Sequence, residues 1–597
     1  MTRRETLVVI LLIAITFAAR LLPGPRTIDD AYITFRYARN ILAGNGFVYN
    51  TGERVLGTTT PLYTLLMTIE AGLSGRRDAS TGLAAGFPEL ALITNAVADC
   101  VSVWILYRLG RRLGNGPLVG ISLAAIWAIH PVSVTFAVGG METSVFVALI
   151  LGTFAAYLDG RWRAAGALAA LALLTRPEAL IAIALLVGDA ILRLCLRIGE
   201  TPPRQQLARP DMNVRATNQR RINPASPHTV QISTASAPQP RPRGWQRPRG
   251  RGLRAYLNGI AASPVHGALS GSPAIDRRAG VRATDSLVIF ALLLAPWLIF
   301  ATLYFGSPVP GSIAAKGVAY QLPSTQALIA FLRTLVVPFS GVGSFDAVLG
   351  LLAIAAYTAL FTIGALHAIH GDSRSWPLFG FAVVYIGAYI VANPLIFRWY
   401  VVPPLPIFLL GITLGWNAIA CAFKPPRLAA TLFIAGAAVA VASAAGGWWI
   451  SDHGSTAPSP RMAYIKLELT YLEAAEKLRG QVNRETVIAA GDIGAIGYAT
   501  GARIYDTLGL ITPDARRYYP VPPEAIVPPL PYAIPTQLIL DAQPDIIVIV
   551  EAYGRNTFLR DPGFQARYEL IETLESDATR DYNSEGMLIF RRIENAE

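Results

Sequence analysis

The chain is 597 residues long, 53% hydrophobic and only 15% charged, with a mean hydropathy of +0.43. That composition excludes an ordinary soluble enzyme and, with apolar runs of near-spanning length recurring along most of the chain, describes a polytopic α-helical membrane protein in contact with lipid. The formal charge of +12 would suggest nucleic acid if it covered a folded surface, but much of it lies in one low-complexity stretch, so no nucleic-acid partner is expected.

Crossing about 30 Å of hydrocarbon takes roughly 20 helical residues. Suitable runs lie near 6–22, 87–107, 117–136, 143–158, 164–175, 178–198, 284–305, 346–368, 376–393, 402–421 and 427–449, which predicts about 11 transmembrane helices in a membrane domain over 1–450. The runs at 143–158 and 164–175 are short, which suggests tilt or helices that stop partway. The first run follows "MTRRE" and has no small-residue cleavage site, so it reads as a retained helix and not a removed signal peptide.

Short basic turns at Arg3 and Arg4, Arg108 to Arg112, Arg161 and Arg163, Arg193 and Arg197, Arg374, and Lys424 and Arg427 fall on one side when the runs alternate. That side is expected to be the cytoplasmic one of a plasma (inner) membrane. The loop 23–86, "HPVSVTFAVGGMETS" (130–144), "TRPE" (175–178), "FGSPVPGSIAAKG" (305–317) and "NPLIFRWY" (393–400) then face outward. Polar groups at membrane depth are costly and are usually retained for a site. Five such interruptions on one face predict one shared cavity on the extracytoplasmic side.

Within the outer loop, "PLYTLLMTIEAGL" (61–73) is too short to cross and carries Glu70, so it reads as an interfacial helix, and 325–337 reads similarly. The stretch 199–282, containing "PQPRPRGWQRPRGRG", cannot bury enough apolar area to fold and is expected to be a disordered basic cytoplasmic insert resting on anionic lipid. From 451 to 597 the composition becomes that of a soluble α/β domain. There "TVIAAGDIGAIGYATGARIYDTLGL" (486–510) reads as strand, helix, strand, "PDIIVIV" (544–550) as a buried strand and "GMLIFRRI" (586–593) as an edge strand. Gly491, Gly494 and Gly497 do not match the dinucleotide fingerprint, and the chain holds no Walker A, H-E-x-x-H or G-x-S-x-G motif. Cys100, Cys195 and Cys421 have neither ligand spacing nor a pairing pattern and read as packing residues.

The chemistry-bearing groups begin with Asp29 and Asp30, just past the first apolar run. One carboxylate is enough to cap the helix that starts at Ala31. The second would stand beside a hydrophobic span, where desolvation suits a carboxyl to proton abstraction or to holding a divalent cation. Tyr32, Arg36 and Arg39 share one face of that helix, where the arginines could bind a substrate phosphate or lipid headgroups. Glu142, Arg176 and Glu178 stand at span ends and read either as a mutual ion pair or as cavity groups. Lys316 and Arg398 are placed either to offset a phosphate leaving group or to snorkel to headgroups.

The acidic pair Asp29 and Asp30, soon after the first helix, resembles the first outward loop of the GT-C glycosyltransferases, and five segments, "DDAYITFRYARNILAGNGFVYNTGERV", "GMETS", "TRPEALI", "SPVPGSIAAK" and "IYDTLGLITPDA", follow one another in the order of similar segments in one branch of that family. More narrowly, they resemble the mycobacterial terminal arabinofuranosyltransferases. The resemblance implies a GT-C fold, a polyprenyl-phosphate-linked sugar donor, with arabinofuranose the sugar that the narrower resemblance implies, and a cell-envelope glycan or lipid-linked acceptor whose hydroxyl Asp29 or Asp30 activates. It also implies that Glu142, Arg176, Glu178 and Lys316 lie in the cavity wall. The alternatives are a transporter or flippase of lipid-linked sugars, and a non-catalytic envelope scaffold.

Overall fold

The first helix, α1 (Arg3–Leu21), opens on a capping box in which Thr2 accepts from the Glu5 N–H and Glu5 accepts from the Thr2 N–H. In this computed structural model residues 1–78, 82–199, 277–341, 346–451, 463–576, 579–580 and 582–593 are described. Met1–Asp189 and Ala268–Glu597 pack as one compact unit, and a second unit spans Ala190–Gly267. The disorder expected over 199–282 falls almost wholly outside the described residues. Its last residues are helical, because the span that follows begins at Arg277 and carries its helix into the basic flank.

After α1 the helices run α2 (Asp29–Leu42), α3 (Pro61–Ser74), α4 (Phe87–Leu113), α5 (Pro117–Ala128), α6 (Pro131–Val138), α7 (Thr143–Leu158), α8 (Trp162–Thr175) and α9 (Ala179–Gly199). Then come α10 (Arg277–Phe305), α11 (Gly311–Ala319), α12 (Gln326–Val336), α13 (Ala347–Gly371), α14 (Trp376–Ala392), α15 (Leu405–Cys421) and α16 (Pro426–Ser451). All the expected apolar runs are helical. Among the described residues six helices are long and apolar enough to cross a membrane alone, and a seventh span arises if α5 and α6, bent by 47°, are taken together. Others fall short by length, as in α7 and α8, or carry charges, as α1 does with Arg4, Glu5 and Arg20.

Large apolar side chains point out of the bundle, with Leu303 81% and Val391 87% exposed. Such a surface is a liability in water and the natural boundary with lipid. The chain is therefore a polytopic α-helical membrane protein.

The break between α5 and α6 follows from Pro131, whose ring has no N–H and ends the regular bonding of the preceding turn. Carbonyls at this break are met by Arg20 of α1. Its guanidinium donates to Trp127 O and Ala128 O, to Ser133 Oγ at 2.8 Å and to Asp99 Oδ2 of α4 at 2.8 Å. Arg20 and Asp99 are 0% and 1% exposed, so the interior cation is balanced by an acid and by carbonyls rather than left bare.

The C-terminal domain adds α17 (Ala463–Lys477), β1 (Val487–Ala490), α18 (Gly494–Thr500), β2 (Arg503–Asp506), α19 (Thr536–Ala542), β3 (Ile546–Val550), α20 (Pro562–Gln565), β4 (Tyr568–Leu574) and β5 (Met587–Arg592). The sheet order is β2-β1-β3-β5-β4. β1 pairs in parallel with β2 and β3, and β5 pairs antiparallel with β3 and β4. The strand expected at an edge, β5, is interior. The edge on that side is β4, whose Glu569 and Glu572 give it the polar outer face that an unpaired margin tolerates, and the opposite edge is β2.

Candidate active site

Successive residues on an α-helix point about 100° apart, so neighbouring side chains cannot share a face. Helix α2 uses this to divide its two acids. Asp30, Ile33 and Thr34 face a cavity of about 690 Å³. Asp29, Tyr32, Arg36 and Arg39 face the C-terminal domain.

The cavity draws on all five polar interruptions of the apolar sequence. Asp30 and Thr34 come from α2 and Thr58, Thr59 and Thr60 from the loop before α3, Glu142 from the α6–α7 turn, and Arg176 and Glu178 from the α8–α9 turn. Ser312 and Lys316 come from α11, and Asn393, Trp399 and Tyr400 from the segment between α14 and α15. Ile181, Leu322, Ala388 and Leu395 supply an apolar flank. Leu510 is the C-terminal domain's contribution to the lining. It is held there by Asp506, which ends β2 and whose carboxylate accepts from Leu508 N and Ile511 N at 2.9 Å each. Burial pushes Asp506 up to about 6 against those bonds.

Arg176 donates to Glu142 at 2.8 Å and to Glu178 at 2.6 Å. Glu178 also accepts from Tyr389 Oη at 2.6 Å, and the Arg176 guanidinium sits 5.2 Å from the Tyr400 ring centre. Both lobes of that cation are therefore engaged with acids. Lys316 differs. Its ammonium lies 5.1 Å from the Phe397 ring centre, and among the described residues it forms no ion pair. Burial lowers its basicity, but Tyr400 and Asp30 more than offset this and hold it above the ordinary lysine range. Asp30 and Lys316 thus share one space, each without a salt-bridge partner among the described residues.

Asp29 is spent elsewhere. Its Oδ2 accepts from Gly494 N at 2.8 Å and its Oδ1 from Ala495 N at 2.7 Å, while its own N–H donates to Glu468 Oε1 at 2.7 Å. Burial first, then the charge of Asp492, pushes Asp29 up to about 8. Arg36 is buried and donates to Tyr49 O, Gly497 O, Ala502 O and Asn50 Oδ1. Arg39 donates to Tyr498 O and lies 3.6 Å from the Tyr498 ring centre. Arg398 is exposed and does not line the cavity. Of the charged residues singled out in the sequence, the fold brings together Asp30, Glu142, Arg176, Glu178 and Lys316. It places Asp29, Arg36 and Arg39 at the joint with the C-terminal domain.

The sequence marks a Thr-rich loop before Pro61 but names none of its threonines, nor Ser312, as a site residue. The threonine hydroxyls form a chain, Thr34 to Thr60 at 3.4 Å and Thr60 to Thr58 at 3.1 Å. The run "GTTTP" and the spacing of Thr34 four residues after Asp30 were the available signals. Ser312 stands four residues before Lys316, and its hydroxyl is buried without a hydrogen-bond partner. Among the described residues no group of three or more His, Cys, Asp or Glu is placed to hold a metal ion.

Residues 462–590 match a family described as a domain of unknown function (DUF8728). Over 133 residues the chain is 30% identical to the terminal β-(1→2)-arabinofuranosyltransferase of Mycobacterium tuberculosis, a match covering 20% of this chain and 19% of that protein. The chain thus spans about a fifth of the length of the curated relative it matches. Among solved structures, 99% of the chain aligns with 98% of ArnT from Cupriavidus metallidurans bound to undecaprenyl phosphate, at 10% identity and a TM-score of 0.48. It also aligns with 74% of the oligosaccharyltransferase AglB from Archaeoglobus fulgidus in complex with an inhibitory peptide and a dolichol-phosphate, at 12% identity and a TM-score of 0.46.

Proposed function

We propose that the protein is a membrane glycosyltransferase that moves a sugar from a polyprenyl phosphate to a hydroxyl of a cell-envelope glycan or lipid-linked acceptor. The site would face the extracytoplasmic side of the plasma membrane. The observation that carries this reading is the pairing, in one cavity with an apolar flank, of a carboxylate, Asp30, and a cation, Lys316, neither of which has an ion pair among the described residues.

A hydroxyl is a weak nucleophile until a base takes its proton, and Asp30 is the acid free to do so. As the bond between the sugar and the phosphate oxygen breaks, negative charge grows on the lipid phosphate. Lys316 offsets that charge, and the unpartnered hydroxyl of Ser312 one turn away can donate to a phosphate oxygen. Arg176, already neutralised by two glutamates, shapes the wall and fixes Tyr389 and Tyr400. The threonine chain offers hydroxyls to those of a sugar. A divalent cation at this end of the cavity would take Asp30 as its ligand, because both oxygens of Asp29 already accept backbone N–H groups. The local similarity to an arabinofuranosyltransferase supports arabinofuranose as the first sugar to try.

The test is to incubate purified protein with a panel of polyprenyl-phosphate sugars and a cell-envelope glycan preparation as acceptor, and measure release of polyprenyl phosphate. Release is expected with at least one donor, falling about 10²- to 10⁴-fold in Asp30→Asn while donor binding persists. Wild-type protein that releases nothing from any donor would overturn the reading in favour of a transporter or scaffold. An Asp30→Asn variant of undiminished rate would remove Asp30 as the base.

A further inference from the structure

The glycine-rich segment "GDIGAIG" (491–497) fails as a nucleotide fingerprint and contributes nothing to the cavity lining, yet a side chain on Gly494 or Gly497 would run into residues of α2. It follows β1 and forms the start of α18. In open α/β sheets the space beyond the carboxyl ends of parallel strands is where a ligand is received. Here a side chain of the same protein occupies it. Asp29 sets its two carboxylate oxygens on Gly494 N and Ala495 N, at 2.8 and 2.7 Å.

The fit leaves no room for a methyl group. A Cβ on Gly494 would overlap the Asp29 carbonyl oxygen and stand 2.7 Å from its Oδ2. One on Gly497 would overlap the Tyr49 hydroxyl and stand 2.7 Å from the Arg36 guanidinium. Two turns further along α2, Arg36 donates to Gly497 O and Ala502 O at 2.6 Å each, and Arg39 donates to Tyr498 O at 2.8 Å. The C-terminal domain therefore grips α2 at three points along one face, beginning at the residue next to Asp30.

We propose that this segment is a latch that positions the transfer reaction: by holding Asp29 it sets the orientation of the first turn of α2 and so presents Asp30 to the cavity. Asp29, Gly494 and Arg36 are positioning residues and touch no substrate. The inference rests on Asp30 being the base. A base displaced by about 1 Å can cost on the order of 100-fold in rate without loss of substrate binding, so the latch acts on kcat.

The test uses the full-length protein in detergent with the polyprenyl-phosphate sugar that gives turnover, reading kcat, donor KM and melting temperature. Asp29→Ala, which only removes atoms, and Gly494→Ala are expected to lower kcat about 10- to 100-fold with donor KM within about twofold. Asp545→Asn serves as the comparison. It weakens the bonds to Val487 N and Arg592 elsewhere in the same sheet and is expected to lower the melting temperature while leaving kcat unchanged. Wild-type kcat in Asp29→Ala, with Asp30→Asn inactive, would overturn the latch alone, and so would a loss of kcat that only tracks the folded fraction. Full activity in Asp30→Asn would instead overturn the base assignment, and the latch with it.

Discussion

Lys316 and Arg176 show how the same charge acquires different roles from its neighbours. Arg176 lies between Glu142 and Glu178, so its field is already spent within the protein. A buried cation held this way stabilises by satisfying the acids, and removing it leaves them uncompensated. Lys316 rests against an aromatic face and keeps its charge for whatever enters the cavity. Replacing Lys316 with Met retains the apolar stem and deletes the charge. We expect kcat/KM for the donor to fall about 10- to 100-fold, the value of a hydrogen bond to a charged group, with the melting temperature nearly unchanged. Equal kcat/KM in the two proteins would show that Lys316 does not meet the phosphate.

At the scale of elements, the α5–α6 break and α1 form one device. Pro131 interrupts the helical bonding of the preceding turn, and Arg20 donates to two carbonyls at the break, Trp127 O and Ala128 O, while pairing with Asp99. Arg20→Met removes the donors and strands both the acid and the carbonyls. A cost of about 3–5 kcal/mol is expected, the range for breaking a buried pair, seen as a large drop in melting temperature in detergent. Replacing Asp99 with Leu as well removes the uncompensated charge and should recover part of the loss. A single variant as stable as the wild type would mean that the break is held by other contacts. The same device explains why the opening apolar run does not stand as a span by composition alone: its arginine serves the neighbouring helix. That link joins residues 108 positions apart and leaves no trace in local periodicity.

At the scale of the whole molecule, the C-terminal domain and α2 meet through acids that hold protons. Asp492 is pushed up to about 6, by burial first, and Asp29 to about 8, from an ordinary value of 3.8. In the folded protein these groups bind protons that the unfolded chain would have released. Their contribution to stability is therefore complete below about pH 4 and is lost as pH rises through about 6 and then about 8. The melting temperature is expected to fall between about pH 5 and about pH 8.5, with a flatter profile in Asp492→Asn. A melting temperature that rises over this interval would contradict the assignment.

The sequence by itself determined the class of the molecule. Runs of apolar residues near 20 long force helices across lipid, because the backbone has no other partner there, and the shift in composition after Ile450 announces the α/β elements that follow. It also set out the acids, the arginines and the order of the polar segments, and four of the charged cavity residues beyond Asp30 were among those it singled out. Only the tertiary structure decided which acid faces the cavity, which cations remain without an ion pair, and that Arg36 and Arg39 bind backbone carbonyls of the C-terminal domain. The reason is geometric. Adjacent residues of α2 diverge by about 100° around the helix, and the groups that claim Asp29 and Arg36 lie 465 and 461 positions away in the chain. No pattern within a segment encodes a partner at that distance, so the division of labour between Asp29 and Asp30 exists only once α2 and α18 have met.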